Sequence, residues 1–538
     1  YADKGNFATT GYVDFRTRNT LQQNMLKVEA GMFDTYRAAA MMNVVNKKDQ
    51  SVYVASEYMF TNGYFDHPQD FNRFNLFGKY YGKLNANNTL SVSASAFRSK
   101  WNASGQIPER AVNEGLISFF GAIDPNEGGK TGRSNINAQL TTTLKSGYLK
   151  NQLYYTAYDF ELYSNFTFFN IDSINGDQIK QKEKRNLAGY NGSYTNIKYL
   201  GAAKLTSEAG VNIRYDRTYN SELSRTKNRS QIIQPLKLGD ISELNTGLFI
   251  DETIQLNSSF SINAGLRWDN FKVSYKDKLR NNLMSKQQNS IISPKLNFYY
   301  HPNERTNIYF TTGKGFHSND ARVVVQSSGS QALPAAYSAD LGIVLKPARN
   351  LLLNFAVWQL YLEQEFVYVG DEGIVEPSGK TRRKGVDVSI RYQPFKWLFI
   401  DADANYCKGR SIDEPKGANY IPLAPVFTST GGLTFKSKRS LNGSLRYRYM
   451  YDRPANETKS VIAKGYFIND AVLNYTKQKY ELSIAVQNIF NVRWKETQFD
   501  TESRLQNEPQ PVSEIHFTPG TPFFIKLGAT INLCHRKK

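Results

Sequence analysis

Imidazole beside carboxylate is the usual donor set for a transition metal, and the chain has five histidines in 538 residues. His67 follows Asp66, His317 lies three residues before Asp320, and His516 lies two after Glu514. None has the tight paired spacing of a dedicated site, so these read as loop residues, with no resident metal and no cofactor. Hydrolysis would need a nucleophile with a positioned base. Serine and threonine abound, but no GxSxG elbow occurs, and the Gly313-Lys314-Gly315 run lacks the phosphate-loop pattern. The sequence does not read as an enzyme. Aromatic and basic residues in turn-rich stretches offer different chemistry, capture of an anionic or ring-bearing ligand by charge and stacking. The candidates are Trp101, Phe166, Phe168, Phe169, His317, Arg322, Arg382, Arg383, Trp494, Arg504 and His516.

The elements that must position them have a two-residue period. In 261–269, Ile262, Ala264, Leu266 and Trp268 share one face, while Asn263, Gly265, Arg267 and Asp269 share the other. The segments 385–392, 398–407 and 441–449 repeat the pattern, with Arg, Asp and Asn at successive positions of the polar face. Strict alternation gives each strand one apolar and one polar face. A soluble sandwich would hide the apolar face against a second sheet and rarely carry so many charges opposite it. Lipid on one side and a water-filled lumen on the other accept both.

Composition agrees. The chain is 40% hydrophobic and 13% aromatic, with 34 Tyr and 33 Phe to supply interfacial girdles. Nothing approaches the roughly 18–20 consecutive apolar residues of a membrane helix. No fixed repeat of the propeller or solenoid kind is present. The net charge of +19 comes from scattered Lys and Arg rather than one arm or helix. Phosphorylated lipopolysaccharide or an anionic ligand accounts for it as well as nucleic acid does, so the charge discriminates little. Cys407 and Cys534 are the two cysteines, too few for a disulfide framework and without a CxxC signature.

Turn-forming connections fall at 45–50, 84–88, 145–147, 200–203, 256–259, 301–305, 346–350, 393–396, 437–440 and 476–479. Between them lie longer ones at 99–132, 163–183, 216–241, 274–290, 314–333, 370–383, 408–426, 451–464 and 492–521, and shorter ones at 33–34 and 64–70. Ten tight turns and eleven other connections join about 22 strands, an even number in the range of outer-membrane barrels. The fold class is therefore all-β, a transmembrane antiparallel up-and-down β-barrel. Its long loops lie outside the cell, its short turns in the periplasm, and its lumen is too wide for side chains to fill.

Several motifs are more specific. QNIFN (487–491) leads into NVRWKETQFDTESR (491–504) and SEIHFTPGTPFF (513–524), and upstream stand GQIPERAV (105–112), ELYSNFTFF (161–169) and GDEGIVEPSGKTRRKGVDVS (370–389). These resemble TonB-dependent receptors of the Bacteroidetes type, and the resemblance runs from Asn24 to the C-terminus. GNFATTGYVDFRTRN (5–19) looks like the last strand of that family's plug domain. The organisation implied is residues 1–20 as the C-terminal remnant of a plug, 21–533 as the barrel and 534–538 as a periplasmic tail. Nearly all of the plug, and the segment that would bind the TonB complex, are expected upstream of this chain.

The final strand carries a further signature. Lys526, Gly528, Ile531 and Leu533 match polar-x-Gly-x-x-apolar-x-apolar, the pattern read by the barrel-assembly machinery. What the resemblance implies is energy-coupled uptake of a bulky nutrient across the outer membrane of a Gram-negative bacterium. Metal chelates of siderophore type rank first, ahead of cobalamin, haem and oligosaccharides. The implied partners are outer-membrane lipid and lipopolysaccharide, the assembly machinery, the TonB complex, the nutrient and a surface lipoprotein. The competing reading is a passive pore or surface-binding barrel without a plug.

Overall fold

In the computed structural model, which describes residues 2–9, 11–326, 332–369 and 374–533, 22 antiparallel strands form one sheet. The sheet closes on itself. The first strand, Asn24–Gly31, pairs with the last, Phe524–Leu533, in a register running from Asn24 opposite Leu533 to Gly31 opposite Lys526. Among the described residues no helix is long and apolar enough to cross a membrane. Strands do the crossing, because a closed sheet pairs every backbone N–H and C=O internally where no water is available.

The alternation seen in the sequence sorts the two faces. On the strand Phe260–Asp277, Leu266 is 49% exposed on the outer face, while Arg267 and Asp269 on the inner face are 3% and 0% exposed. The inner wall is stitched by polar ladders. Asn263 Nδ2 donates to Asp251 Oδ1 at 2.6 Å and Asn297 Nδ2 to Asn263 Oδ1 at 2.7 Å. Arg267 reaches Asp269 and Asn212, and Asn212 continues to Asn191 and Gln152.

A charge ladder spans the closing seam. Glu29 on the first strand accepts from Arg37 at 2.6 Å and lies 3.1 Å from the Lys526 ammonium of the last strand. Arg37 also donates to Glu57 at 2.5 Å, and Glu57 accepts from Arg73 at 2.7 Å. The ladder thus crosses five neighbouring strands and ties both ends of the chain into one wall.

Two expectations are corrected. Residues 5–9 and 11–19 form no strand. They run through the lumen as an irregular segment, since paired strands need an edge and the barrel offers none. Phe7 N donates to Phe316 O at the outer end, and the Tyr53 hydroxyl and Ser51 hydroxyl donate to Arg18 O and Asn19 O near the periplasmic end. The connections at 216–241 and 274–290 are also much shorter than expected. Ala203–Lys227 and Gln231–Gln255 are 25-residue strands joined by residues 228–230, and only residues 278–282 separate Asp277 from Leu283–Asn303. The ten tight turns stand where the sequence places them. The tail 534–538 with Cys534, and the loop residues 327–331 and 370–373, lie outside the described residues; Cys407 is a buried free thiol.

The two faces make opposite demands on mutation. Leu266→Arg puts a cation near the bilayer midplane and is expected to cost about 2–4 kcal/mol. Glu29→Leu removes a carboxylate that Lys27, Arg37 and Lys526 share and is expected to cost on the order of 3 kcal/mol. Both are read as a lower temperature for conversion of the folded electrophoretic form to the unfolded one. A Glu29→Leu barrel as heat-resistant as wild type would remove the seam ladder from the account of stability.

Candidate ligand-capture site

The outer end of the barrel carries two constructions, a folded cap on one side and a charged mouth on the other. The cap is built from four connections. Ile107–Pro108, Lys495–Ser503 and Val512–Pro519 make a three-stranded sheet with His516 opposite Pro108 and Phe517 opposite Ile107. The short helix Glu109–Asn113 follows directly, and Phe168 bridges to Arg504. Beneath lies a core of Ile107, Phe119, Ala455, Ala463, Ile515 and Phe517. These loops share a sheet and an apolar core of their own.

Arg110 locks that fold. Its guanidinium donates to Glu508 at 2.6 Å, to Glu514 at 2.6 Å and to the Ser503 carbonyl at 3.1 Å. The same guanidinium holds the Glu508 carboxyl below its ordinary range. His516 is fully buried, stacked on Phe168 with centroids 5.8 Å apart, and its Nε2 lies 2.8 Å from Ser503 Oγ. Burial, reinforced by the Arg110 charge, pushes its pKa down to about 3, so the ring is neutral.

The mouth is different. The helix Ala321–Gln326 turns inward and seats Ala321 and Val325 against Ile241, Val273 and Tyr275 of the inner wall. Arg322 pairs with Asp320 at 2.7 Å. Burial raises the Asp320 carboxyl, but its hydrogen bonds and charge contact with Arg322 outweigh this and hold it below its ordinary value. Below them Arg185, Glu243 and the Arg214–Asp216 pair face a cavity of about 220 Å³, and a larger one of about 600 Å³ opens beside Arg214 and Arg267. The inner segment 3–8 lines both.

The predicted site residues divide accordingly. Register parity puts Trp101 and Arg383 on the inner face near the mouth, where Arg322 also stands. His317 is nearly buried there, stacked on Phe7 at 6.2 Å. Phe166 is half-buried in the connection 165–178. Phe168 and His516, 1% and 0% exposed, are packed inside the cap and present no ring to the vestibule. Trp494 is buried against Tyr466, and Arg504 spends its guanidinium on the Phe169 and Glu508 carbonyls. Arg382 falls on the outer face, away from the lumen. Of the assembly residues, Lys526 joins the seam, Gly528 packs beside Ser483, and Ile531 and Leu533 lie on the lipid face.

Sequence reasoning missed Arg110, Arg185 and Arg214. The last two carried a usable signal, since they occupy inward positions of alternating strands. Arg110 gave none, because its partners lie some 400 residues away.

With this geometry in place, the sequence model described as a TonB-dependent receptor-like β-barrel matches residues 59–489. The chain belongs to that family. It is an outer-membrane transport receptor of a Gram-negative bacterium rather than an enzyme. No curated protein matches the sequence. Among solved structures, the unliganded ferric citrate transporter FecA is similar over 96% of this chain and 80% of its own, at 15% identity and TM-score 0.81. The ferric-catecholate import receptor Fiu of E. coli K12, in its closed form, is similar over 98% and 85% at 14% identity and TM-score 0.77. The ferric yersiniabactin uptake receptor FyuA of Yersinia pestis is similar over 96% and 81% at 11% identity and TM-score 0.76.

The receptor's QNIFN motif now has a physical reading. Asn488 has a positive φ of 48°, which asparagine tolerates, and its amide clamps the start and end of the last long loop. Nδ2 donates to Val492 O and Thr521 O, while Oδ1 accepts from Val492 N. Asn491 Oδ1 receives Phe523 N at 2.8 Å, so the chain re-enters the barrel in register.

A pH dependence follows from His516. An unfolded imidazole takes a proton below about pH 6.5, whereas in the cap it does so only near 3. The cap therefore has its full stability above about 6.5 and loses it as pH falls, by on the order of 2 kcal/mol at about pH 5. Amide protection factors in 107–113 and 512–519, corrected for intrinsic exchange, should drop between neutral pH and about 5 in wild type and stay level in His516→Gln.

Proposed function

We propose that this receptor imports an anionic metal chelate of siderophore type, with TonB supplying the work. The observation that carries the reading is the guanidinium-bearing, partly aromatic mouth, where Arg185, Arg214, Arg322, Arg383 and Trp101 stand at the way into a polar lumen and Asp216, Glu243 and Asp320 hold the arginines in place. Carboxylate and catecholate chelates of iron are negatively charged, and guanidinium groups recognise such oxygens with paired donors. The printed names of the similar structures, ferric citrate, ferric-catecholate and ferric yersiniabactin receptors, support the same ligand class.

A segment threaded through the lumen supports energy coupling. Residues 2–9 are held at the outer end of the barrel by Phe316 and Ser318, and residues 11–19 at the periplasmic end by Ser51, Tyr53 and Lys79. A bulky ligand has to displace part of what fills the lumen, which fits pulling from the periplasm and disfavours a passive pore. The barrel-assembly machinery is the expected insertion partner, reached through the last strand.

Uptake of radiolabelled iron chelates by iron-starved cells, with and without an intact TonB system, tests this. Loss of uptake without TonB is expected, and equal uptake would return the passive pore. Arg322→Ala and Trp101→Ala should each weaken chelate binding about tenfold, measured by fluorescence quenching on purified receptor. Unchanged affinity in both would move recognition away from the mouth.

A further inference from the structure

The outer face of three adjacent strands, Leu351–Leu362, Thr381–Phe395 and Leu398–Ser411, holds charges that no carboxylate among the described residues pairs with. Register places Arg382 opposite Arg410 and Lys384 opposite Lys408. Paired positions share a face, and these run in parity with Val386, Val388, Ala402 and Tyr406, the lipid-facing set. Four cations therefore stand in one quadrilateral. Like charges directly opposite on neighbouring strands are destabilising.

At several other positions this barrel supplies an acid for such groups. On the inner face of the same strands Arg391 takes Asp403 at 2.9 Å, and Arg446 on the neighbouring hairpin takes Asp401. On the outer face further round, Glu161 lies between Lys130 at 3.2 Å and Lys182 at 3.9 Å. Arg382, Lys384, Lys408 and Arg410 have no carboxylate partner among the described residues.

Aromatic rings frame the quadrilateral. The Arg410 guanidinium stacks 4.0 Å over Tyr420, whose ring Lys459 also approaches at 5.7 Å. On the other side Tyr361 is opposite Arg382 and packs on Tyr337 at 6.1 Å, with Lys314 over Tyr337 at 5.9 Å.

Height decides what such a patch meets. A tilted membrane strand needs about 9–11 residues. Counted from the periplasmic turn at 396–397, that span ends near 385 and 408. The cations sit just beyond it, at headgroup level, directly above an apolar wall of Val386, Val388, Ile390 and Tyr406. We propose that this face binds the phosphorylated headgroup of an outer-leaflet glycolipid, its phosphates between the two cation pairs and its acyl chains on the wall below. Free phosphate would answer the charges but leave the wall unused. A diphosphorylated, multi-acyl glycolipid answers both.

The test uses the full chain, purified in detergent micelles and titrated with diphosphorylated lipid A. Native mass spectrometry counts retained lipid. The fourfold variant R382Q/K384Q/K408Q/R410Q is compared with K438Q/R439Q/K477Q/K479Q, which removes as much charge at the periplasmic turns. Lipid retention is expected to fall at least tenfold in the first and stay at wild-type level in the second, with dephosphorylated lipid A held weakly by all. Equal retention in the fourfold variant, or equal binding of dephosphorylated lipid, overturns the proposal. So does complete displacement of lipid A by millimolar inorganic phosphate. If the fourfold variant does not fold, salt on the wild type decides. Screening shrinks from about 10 Å at 0.1 M to about 3 Å at 1 M, and retention that ignores this change also overturns it.

Discussion

Every feature of this receptor depends on one requirement, that a backbone inside hydrocarbon must hydrogen-bond to itself. A sheet meets it only by closing, so Asn24–Gly31 has to find Phe524–Leu533 after some five hundred residues of intervening chain. Closure fixes which side chains look outward, and hence which positions must be apolar. It also creates a seam where the two ends of the polypeptide meet. The Lys526–Glu29–Arg37–Glu57–Arg73 ladder starts across that seam, where the paired strands are the farthest apart in sequence.

Inside and above this wall, two kinds of order coexist. The lumen is organised by polar ladders that keep Asn, Gln, Asp and Arg satisfied while leaving space for water and a threaded segment. The cap is organised like a small soluble protein, with an apolar core and one arginine tying helix to sheet. Its rigidity matters for capture, because a preformed rim loses less entropy on binding than loops that must first order.

The barrel was legible because alternation is a property of neighbours in sequence. Ile262, Leu266 and Trp268 against Arg267 and Asp269 needed no knowledge of the rest of the chain. The reading failed where both faces of a strand meet water. Above the membrane Arg217 and Ser242 lie outward and Asp216 and Glu243 inward, so the period disappears although the strands continue. The cap was legible only as motifs. GQIPERAV, NFTFF and SEIHF stood out in the sequence, but that they pack on one another is a fact of tertiary structure. Phe168 and His516 were accordingly placed among ligand contacts, whereas their rings are buried on each other. Arg382 was misplaced for a simpler reason, a single step of parity separating it from inward Arg383.

The 25-residue strands Ala203–Lys227 and Gln231–Gln255 set the receptor's silhouette. At about 3.3 Å per residue and a tilt near 45°, a straight strand of that length would climb roughly 60 Å, twice the thickness of the hydrocarbon layer. Three register shifts bend the hairpin instead, and its tip leans on its neighbours: Arg229 donates to Asn126 O at 2.8 Å, to Asn102 Oδ1 at 3.0 Å and, through its backbone N–H, to Gln178 Oε1 at 2.9 Å. The hairpin is a buttress, and a push on its tip passes directly to the connections that frame the opening.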